Sequence, residues 1–366
     1  MLYKMLNEER RINTLIIPFI LVLIVYVAVS TIGCLIYFSR FPFYGLLSIL
    51  LFTPFLLIGL KSRFKTSNSA YIFTPVILTY LSLGFFPSLL VLGMMMTIWL
   101  CFRWRKAESI IYGSKWLWIP MYISGVTILL LGYLKVGNPW VDRDARVSLA
   151  QPFAFSTFLM LTSACYADIP VIYMATVILA GLTSYRTYLA NVVFAVLFSK
   201  NIGRKTKIIL IASLSAALVG VGYIIALQGQ SWRLNPLGIL HYRLTSGLYT
   251  LDLIAEKSFP LGFSHGKILV SNDPRLEVGL LFLNSPVKYT YTIYGQPIAD
   301  FGLFGILELY MLGIILRNIW RGEKLYQIAP AYLIPMLEAG IDSFRLSVLM
   351  IIAYAVSKHL ETSKKR

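Results

Sequence analysis

LIIPFILVLIVYVAVSTIGCLIYF, residues Leu15 to Phe38, carries no charged side chain from end to end. At about 1.5 Å per residue, a helix of this length spans the roughly 30 Å hydrocarbon core of a bilayer. The run is too long for the apolar core of a signal peptide and has no small-x-small cleavage site. It is therefore expected to remain as the first span, behind the basic residues Lys4, Arg10 and Arg11.

The rest of the chain repeats this pattern. Of its 366 residues, 58% are hydrophobic and 13% charged, and the mean hydropathy is +0.73. The apolar residues come in membrane-length runs rather than periodic stripes. Lipid-exposed backbone must satisfy its own hydrogen bonds, and the alternation that a barrel needs is absent, so the spans are helices. The expectation is an all-α polytopic membrane protein forming a single integral membrane domain over residues 1–366.

The formal charge of +17 does not indicate nucleic acid. The cations fall in small clusters between apolar runs: Lys61, Arg63 and Lys65; Arg103, Arg105 and Lys106; Arg204, Lys205 and Lys207; Arg317, Arg321 and Lys324; Lys364, Lys365 and Arg366. This is the positive-inside pattern, with anionic lipid as counterion. Placing the clusters on one side yields about twelve transmembrane helices, both termini cytoplasmic and a multi-pass placement in the plasma membrane. Ser114 and Lys115 open the fifth span in this map.

One large extracytoplasmic loop, about residues 229–297, separates helices 9 and 10. It carries HYRLTSGLYTLDLIAEKSFPLGFSHG (His241 to Gly266) and leads into YGQPIADFGLFGILELY (Tyr294 to Tyr310). Leu248, Leu251, Ile254 and Ala255 have helical spacing, which fits an amphipathic helix on the membrane surface. A second outer segment, KVGNPWVDRDARVSLAQ (Lys135 to Gln151), mixes Asp142, Arg143, Asp144 and Arg146. Local ion pairs in a solvated loop and contacts to a substrate both fit it. The Arg between the two acids would repel a divalent cation, so no metal is expected.

Charges near the outer half are functional candidates because a membrane makes them costly. Arg186 and Arg243 either snorkel to lipid phosphates or clamp a pyrophosphate together. Glu338, Asp342 and Arg345 have the spacing of an internal ion pair. Glu308 needs a hydrogen-bond partner or a proton, and Asp300 suits a helix N-terminus. His241 and His265 lie in the outer segment, where a histidine can take a proton near neutral pH. GFSHGK is one residue short of a phosphate-binding loop, and no GxGxxG, HExxH, CxxC or GxSxG occurs, so no cofactor is expected. Cys34, Cys101 and Cys165 sit far apart in apolar runs and read as small buried hydrophobes.

Three short motifs, in this order, resemble the bacterial and archaeal O-antigen polymerase and O-antigen ligase superfamily. They are Ser184-Tyr185-Arg186 at a span end; Arg243 followed by an amphipathic stretch to Pro260, Gly262 and Gly266; and Asp300, Gly302, Leu303 and Gly305. The resemblance covers residues Gly181 to Leu316. It implies a metal-independent glycosyltransferase acting on a polyprenyl-pyrophosphate-linked oligosaccharide at the outer face, with Arg186 and Arg243 on the pyrophosphate. It also implies working partners such as a flippase or a chain-length regulator.

Ligases of this kind carry a His-Asn pair ahead of the third motif, where this chain has Tyr291 and Thr292. The balance therefore tilts towards a polymerase of repeat units. An O-antigen-type ligase and a lipid-linked oligosaccharide flippase or transporter are the alternatives. His265 and Asp300 are the candidates for acid–base work, and Tyr291, Arg146 and His241 for contacts to the acceptor or within the loop.

Overall fold

The computed structural model describes residues 2–62, 64, 68–103, 118–140, 142–183, 185–230, 234–322 and 324–363. Arg63, Lys65, Arg105, Lys106, Ser114, Lys115, Ser184 and the last three basic residues lie outside them. Among the described residues every regular element is helical and no strand occurs.

In chain order the α-helices are α1 (Leu2–Phe38), α2 (Phe43–Lys61), α3 (Asn68–Leu83), α4 (Phe85–Arg103), α5 (Trp118–Val136), α6 (Arg143–Ser148) and α7 (Ala150–Ala167). Then come α8 (Pro170–Leu182), α9 (Arg186–Phe198), α10 (Arg204–Gln230), α11 (Pro236–Ser258), α12 (Lys267–Val270) and α13 (Pro274–Leu283). The last are α14 (Gly295–Phe301), continued by a 3-10 turn at Gly302–Phe304, α15 (Gly305–Trp320), α16 (Ile328–Leu333), α17 (Met336–Ala339) and α18 (Ser343–Ser363).

Among the described residues, five stretches are long and apolar enough to cross a membrane: Arg11–Phe38, Phe43–Lys61, Trp118–Val136, Gly295–Trp320 and Ser343–Leu360. Others are apolar but short, such as Pro170–Leu182 and Arg186–Phe198. Thirteen residues of helix rise only about 20 Å, less than the hydrocarbon thickness. Among the described residues, length and apolarity together account for five of the twelve crossings that the charge clusters suggest. The chain is a multi-pass helical membrane protein, and its outward side chains agree. Leu21, Ile24, Val25 and Ile36 of α1 are each more than half exposed, a surface that lipid covers at no cost and water does not.

The contacts group the chain into two compact units, one of residues 1–108, 241–322 and 336–366, the other of 109–240 and 323–335. In the first, α2 lies along α15 at backbone distance. A Cβ on Gly59 would sit 2.2 Å from the Tyr310 carbonyl oxygen, and one on Gly313 would sit 2.4 Å from that of Leu56. Small residues at the crossing allow this approach, which is how helices gain packing energy in lipid. Hydroxyl pairs flank the crossing: Thr53 Oγ1 with Tyr294 Oη at 2.8 Å and Ser62 Oγ with Tyr310 Oη at 2.9 Å. Asn318 donates to the buried Tyr71 hydroxyl from α15 to α3.

The apolar face of α11 covers protein rather than lipid, unlike a helix lying on the membrane surface. Leu248, Leu251, Ile254 and Ala255 are all fully buried. Gly33 and Gly45 give the room: Thr245 Oγ1 packs where a Gly33 Cβ would be, and a Cβ on Gly45 would press on Leu248 at 3.2 Å. Phe38 stacks on Tyr249 at 4.0 Å between centroids.

In the second unit α5 packs on α7 through Gly125, whose carbonyl accepts from Ser156 Oγ at 2.7 Å. Leu129, Leu149 and Phe153 form a small core there. Helices α8 and α9 run in opposite directions, joined across Thr183 and Tyr185. The turn after α9 then leads to α10, so Asp168 and Asn201 share one end of this unit and Arg186 starts from the other.

Candidate functional site

Arg243 sits in the first half of α11, half-buried, with its carbonyl accepting from Ser246 Oγ at 2.9 Å. What fixes this helix against α1 and α2 is a charge cluster that no motif announces. Arg40, in the turn between α1 and α2, places Nε 2.8 Å from Asp252 Oδ2 and Nη2 2.7 Å from Glu256 Oε2. The Asp252 side chain is 1% exposed, and its Oδ1 also accepts from the Gly45 amide at 3.0 Å. Its burial is supportable because a guanidinium and an amide meet it. The Glu256 hydrogen bond, foremost, holds the Arg40 pKa above its ordinary value. His241, about three turns before Asp252 on the same helix, bridges to α1: its Nε2 lies 3.1 Å from the Val29 carbonyl oxygen and its Nδ1 3.3 Å from Tyr37 Oη.

The second and third sequence motifs, read separately above, interlock. Gly262 and Gly302 are both left-handed, at φ +87° and +56°, and each lies against the other's backbone. A Cβ on Gly262 would be 2.6 Å from the Asp300 carbonyl oxygen, and one on Gly302 would be 2.2 Å from that of Pro260. Only glycine permits both the dihedral and the approach. Phe263 N and Ser264 N donate to the Ala299 carbonyl at 2.8 and 2.9 Å, and Leu303 N donates to that of Pro260 at 2.9 Å.

Asp300 clamps this knot. Its Oδ1 accepts from Ser264 Oγ at 2.6 Å and Ile268 N at 3.1 Å, and its Oδ2 from Leu269 N at 2.9 Å and Gln296 Nε2 at 3.0 Å. The side chain is 1% exposed, and its four donors leave neither oxygen unsatisfied in that buried setting. Gln296 Nε2 also donates to Glu308 Oε2 at 3.1 Å, which gives Glu308 the partner it requires. Between the clamped ends, His265 is exposed on a turn at φ +48° and Gly266 follows at φ +89°.

Tyr291 is 1% exposed and donates to the Ile341 carbonyl at 2.8 Å. Its hydroxyl is thereby committed inside the fold, and burial pushes its pKa well up. The Asp342–Arg345 pair forms as its spacing predicts, Nη1 to Oδ2 at 2.9 Å, while Asp342 Oδ1 caps α18 through Arg345 N at 2.7 Å. In the second unit, Arg186 is half-buried at the first position of α9, after the extended Tyr185. Arg146 lies in α6, and its side chain is outside the described residues. Asp142 caps α6 by accepting from Asp144 N at 2.8 Å.

Arg40, Asp252, Ser264 and Gln296 are the polar groups that the sequence reading missed. One signal was legible: Asp252 and Glu256 are four apart on a helix that otherwise buries its face.

No solved structure matches the chain. It is 35% identical over 161 residues to a Methanocaldococcus jannaschii protein named "Uncharacterized protein MJ0420"; the alignment spans 43% of this chain and 42% of that one. The chain thus covers less than half the length of the curated relative it matches. The family profile described as "Putative O-antigen polymerase" matches residues 11–354, nearly the whole chain. The protein, with its membrane-length helices, its charged α11 and its glycine knot, belongs to the O-antigen polymerase family.

Proposed function

We propose that the protein joins polyprenyl-pyrophosphate-linked oligosaccharide repeat units into a surface polysaccharide at the outer face of the plasma membrane, with both termini cytoplasmic. The observation that carries this reading is the family match across residues 11–354. Arg186 and Arg243 bind the pyrophosphate, each guanidinium offering a planar fork to phosphate oxygens. The acceptor hydroxyl oxygen bonds to the anomeric carbon, the bond from that carbon to the pyrophosphate oxygen breaks, and its electron pair leaves with the lipid pyrophosphate. The hydroxyl proton goes to the His265 imidazole, for which Asp300 is a positioning residue. Fixed positive charge meets the charge that develops on the leaving group. Chelation of divalent cations therefore leaves the rate unchanged. A flippase delivers the donor and a chain-length regulator works alongside.

The test is polymer length in cells. Arg186→Ala and Arg243→Ala each abolish long chains and cause lipid-linked single units to accumulate at normal protein levels, and lysine at either position recovers little. Normal chain lengths in both alanine variants would end this reading. His265→Ala slows polymerisation by about 10²-fold or more while donor binding persists.

A further inference from the structure

The second unit holds a cavity of about 350 Å³ that the proposed reaction does not use. It opens where α7 ends, α8 begins and the α9–α10 turn passes, and Lys324 and Gln327 line its remaining side. Gln327 is 1% exposed, yet neither its Nε2 nor its Oε1 has a hydrogen-bond partner among the described residues. Buried amides are nearly always satisfied, so a donor and an acceptor here await whatever fills the cavity.

The other lining groups narrow the occupant. Asp168 ends α7 in the left-handed region at φ 51°. Its Oδ1 accepts from Ser199 Oγ at 2.6 Å and Tyr173 Oη at 3.4 Å, and its Oδ2 meets no protein donor among the described residues. Lys324 Nζ lies 4.4 Å from the Tyr166 ring centroid and 3.2 Å from its hydroxyl. Trp118 adds a second aromatic wall and Asn201 a second amide at the exposed mouth. One cation balances one carboxylate, which does not suit a phosphate or a divalent ion. Planar amides that give and take hydrogen bonds, beside a carboxylate that accepts them, suit adjacent hydroxyls, and aromatic faces suit the C–H face of a ring.

We infer that this cavity binds a sugar ring, taken either free or as the headgroup of a glycolipid at the membrane boundary. Within the unit, α8 runs away from the cavity and α9 returns to it from Arg186. The cavity and Arg186 therefore occupy opposite ends. The basic run Lys200, Arg204, Lys205 and Lys207 follows at the cavity end, which puts the site on the cytoplasmic side. Only that choice of side rests on the proposed function; the ligand class rests on the cavity.

Saturation-transfer NMR of the full chain in phospholipid nanodiscs, with methyl glycosides of common hexoses, tests the free-sugar form. Native mass spectrometry in nanodiscs containing a monoglycosyl diacylglycerol tests the lipid form. Saturable binding in either arm is expected, weakened about tenfold by Gln327→Leu and also by Asn201→Ala, whose exposed side chain the fold does not need. No binding in either arm, or binding equal in the wild type and both variants, overturns the proposal and leaves a water-filled notch. Preferential retention of an unglycosylated phospholipid overturns it too. Polymer length with Arg186 and Arg243 intact is measured separately, so failure of the cavity and failure of the polymerase reading are distinguishable.

Discussion

At the level of single side chains, Arg40 and Asp300 show how this protein keeps charge in apolar surroundings. Asp252 is almost wholly buried and meets Arg40 and one backbone amide. Arg40→Ala leaves that carboxylate without its cation and lowers stability by about 3 kcal/mol, because an uncompensated buried charge costs more than the pair contributes. Glu256→Ala, at an exposed partner, costs about 0.5 kcal/mol. Thermal unfolding of purified variants in detergent separates the two, and equal losses would contradict the burial argument. Tyr291→Phe removes a buried hydrogen bond at about 1 kcal/mol. Its sign with pH follows from the raised folded pKa: the contribution is complete below the ordinary tyrosine pKa of about 10 and is lost only as pH climbs through the higher folded value. The difference between wild type and Tyr291→Phe therefore holds across neutral pH and shrinks only in strong alkali.

At the level of elements, the join between Ser258–Leu269 and Ala299–Leu303 decides most. Gly302→Ala puts a Cβ into the Pro260 carbonyl as well as into an unfavourable dihedral, whereas Gly266→Ala meets open space. The first costs about 3 kcal/mol or more and the second about 1 kcal/mol. Unfolding midpoints of the two variants check this order. The glycines themselves were readable in the chain as motif positions, but their interlock was not, since contacts across such separations leave no periodic trace. Hydropathy likewise revealed the buried face of α11 while leaving its covering undecided. Leu248 and Leu251 look the same under lipid as under α1 and α2, and only Gly33 and Gly45 tell the difference. The Asp342–Arg345 pair was legible because both partners lie on one helix turn.

For the whole molecule, the charge clusters suggest an orientation and twelve crossings, and among the described residues five stretches are long and apolar enough to make one while other apolar helices are shorter. The opposite ends of α8 and α9 give a direct check on orientation. Leu182→Cys, beside Arg186, reacts with an impermeant maleimide in intact cells, and Asn201→Cys reacts only with a permeant one. The reverse pattern would turn the molecule over and move the proposed chemistry to the cytoplasm.

The Ser258–Leu269 segment also has its partners well downstream, at Ala299, Asp300 and Leu303. During synthesis it emerges before any of them exists, so it cannot set until the following span has left the ribosome. A nascent chain stopped ahead of Ala299 should leave this segment open to proteases, while one extended past Leu303 should close it.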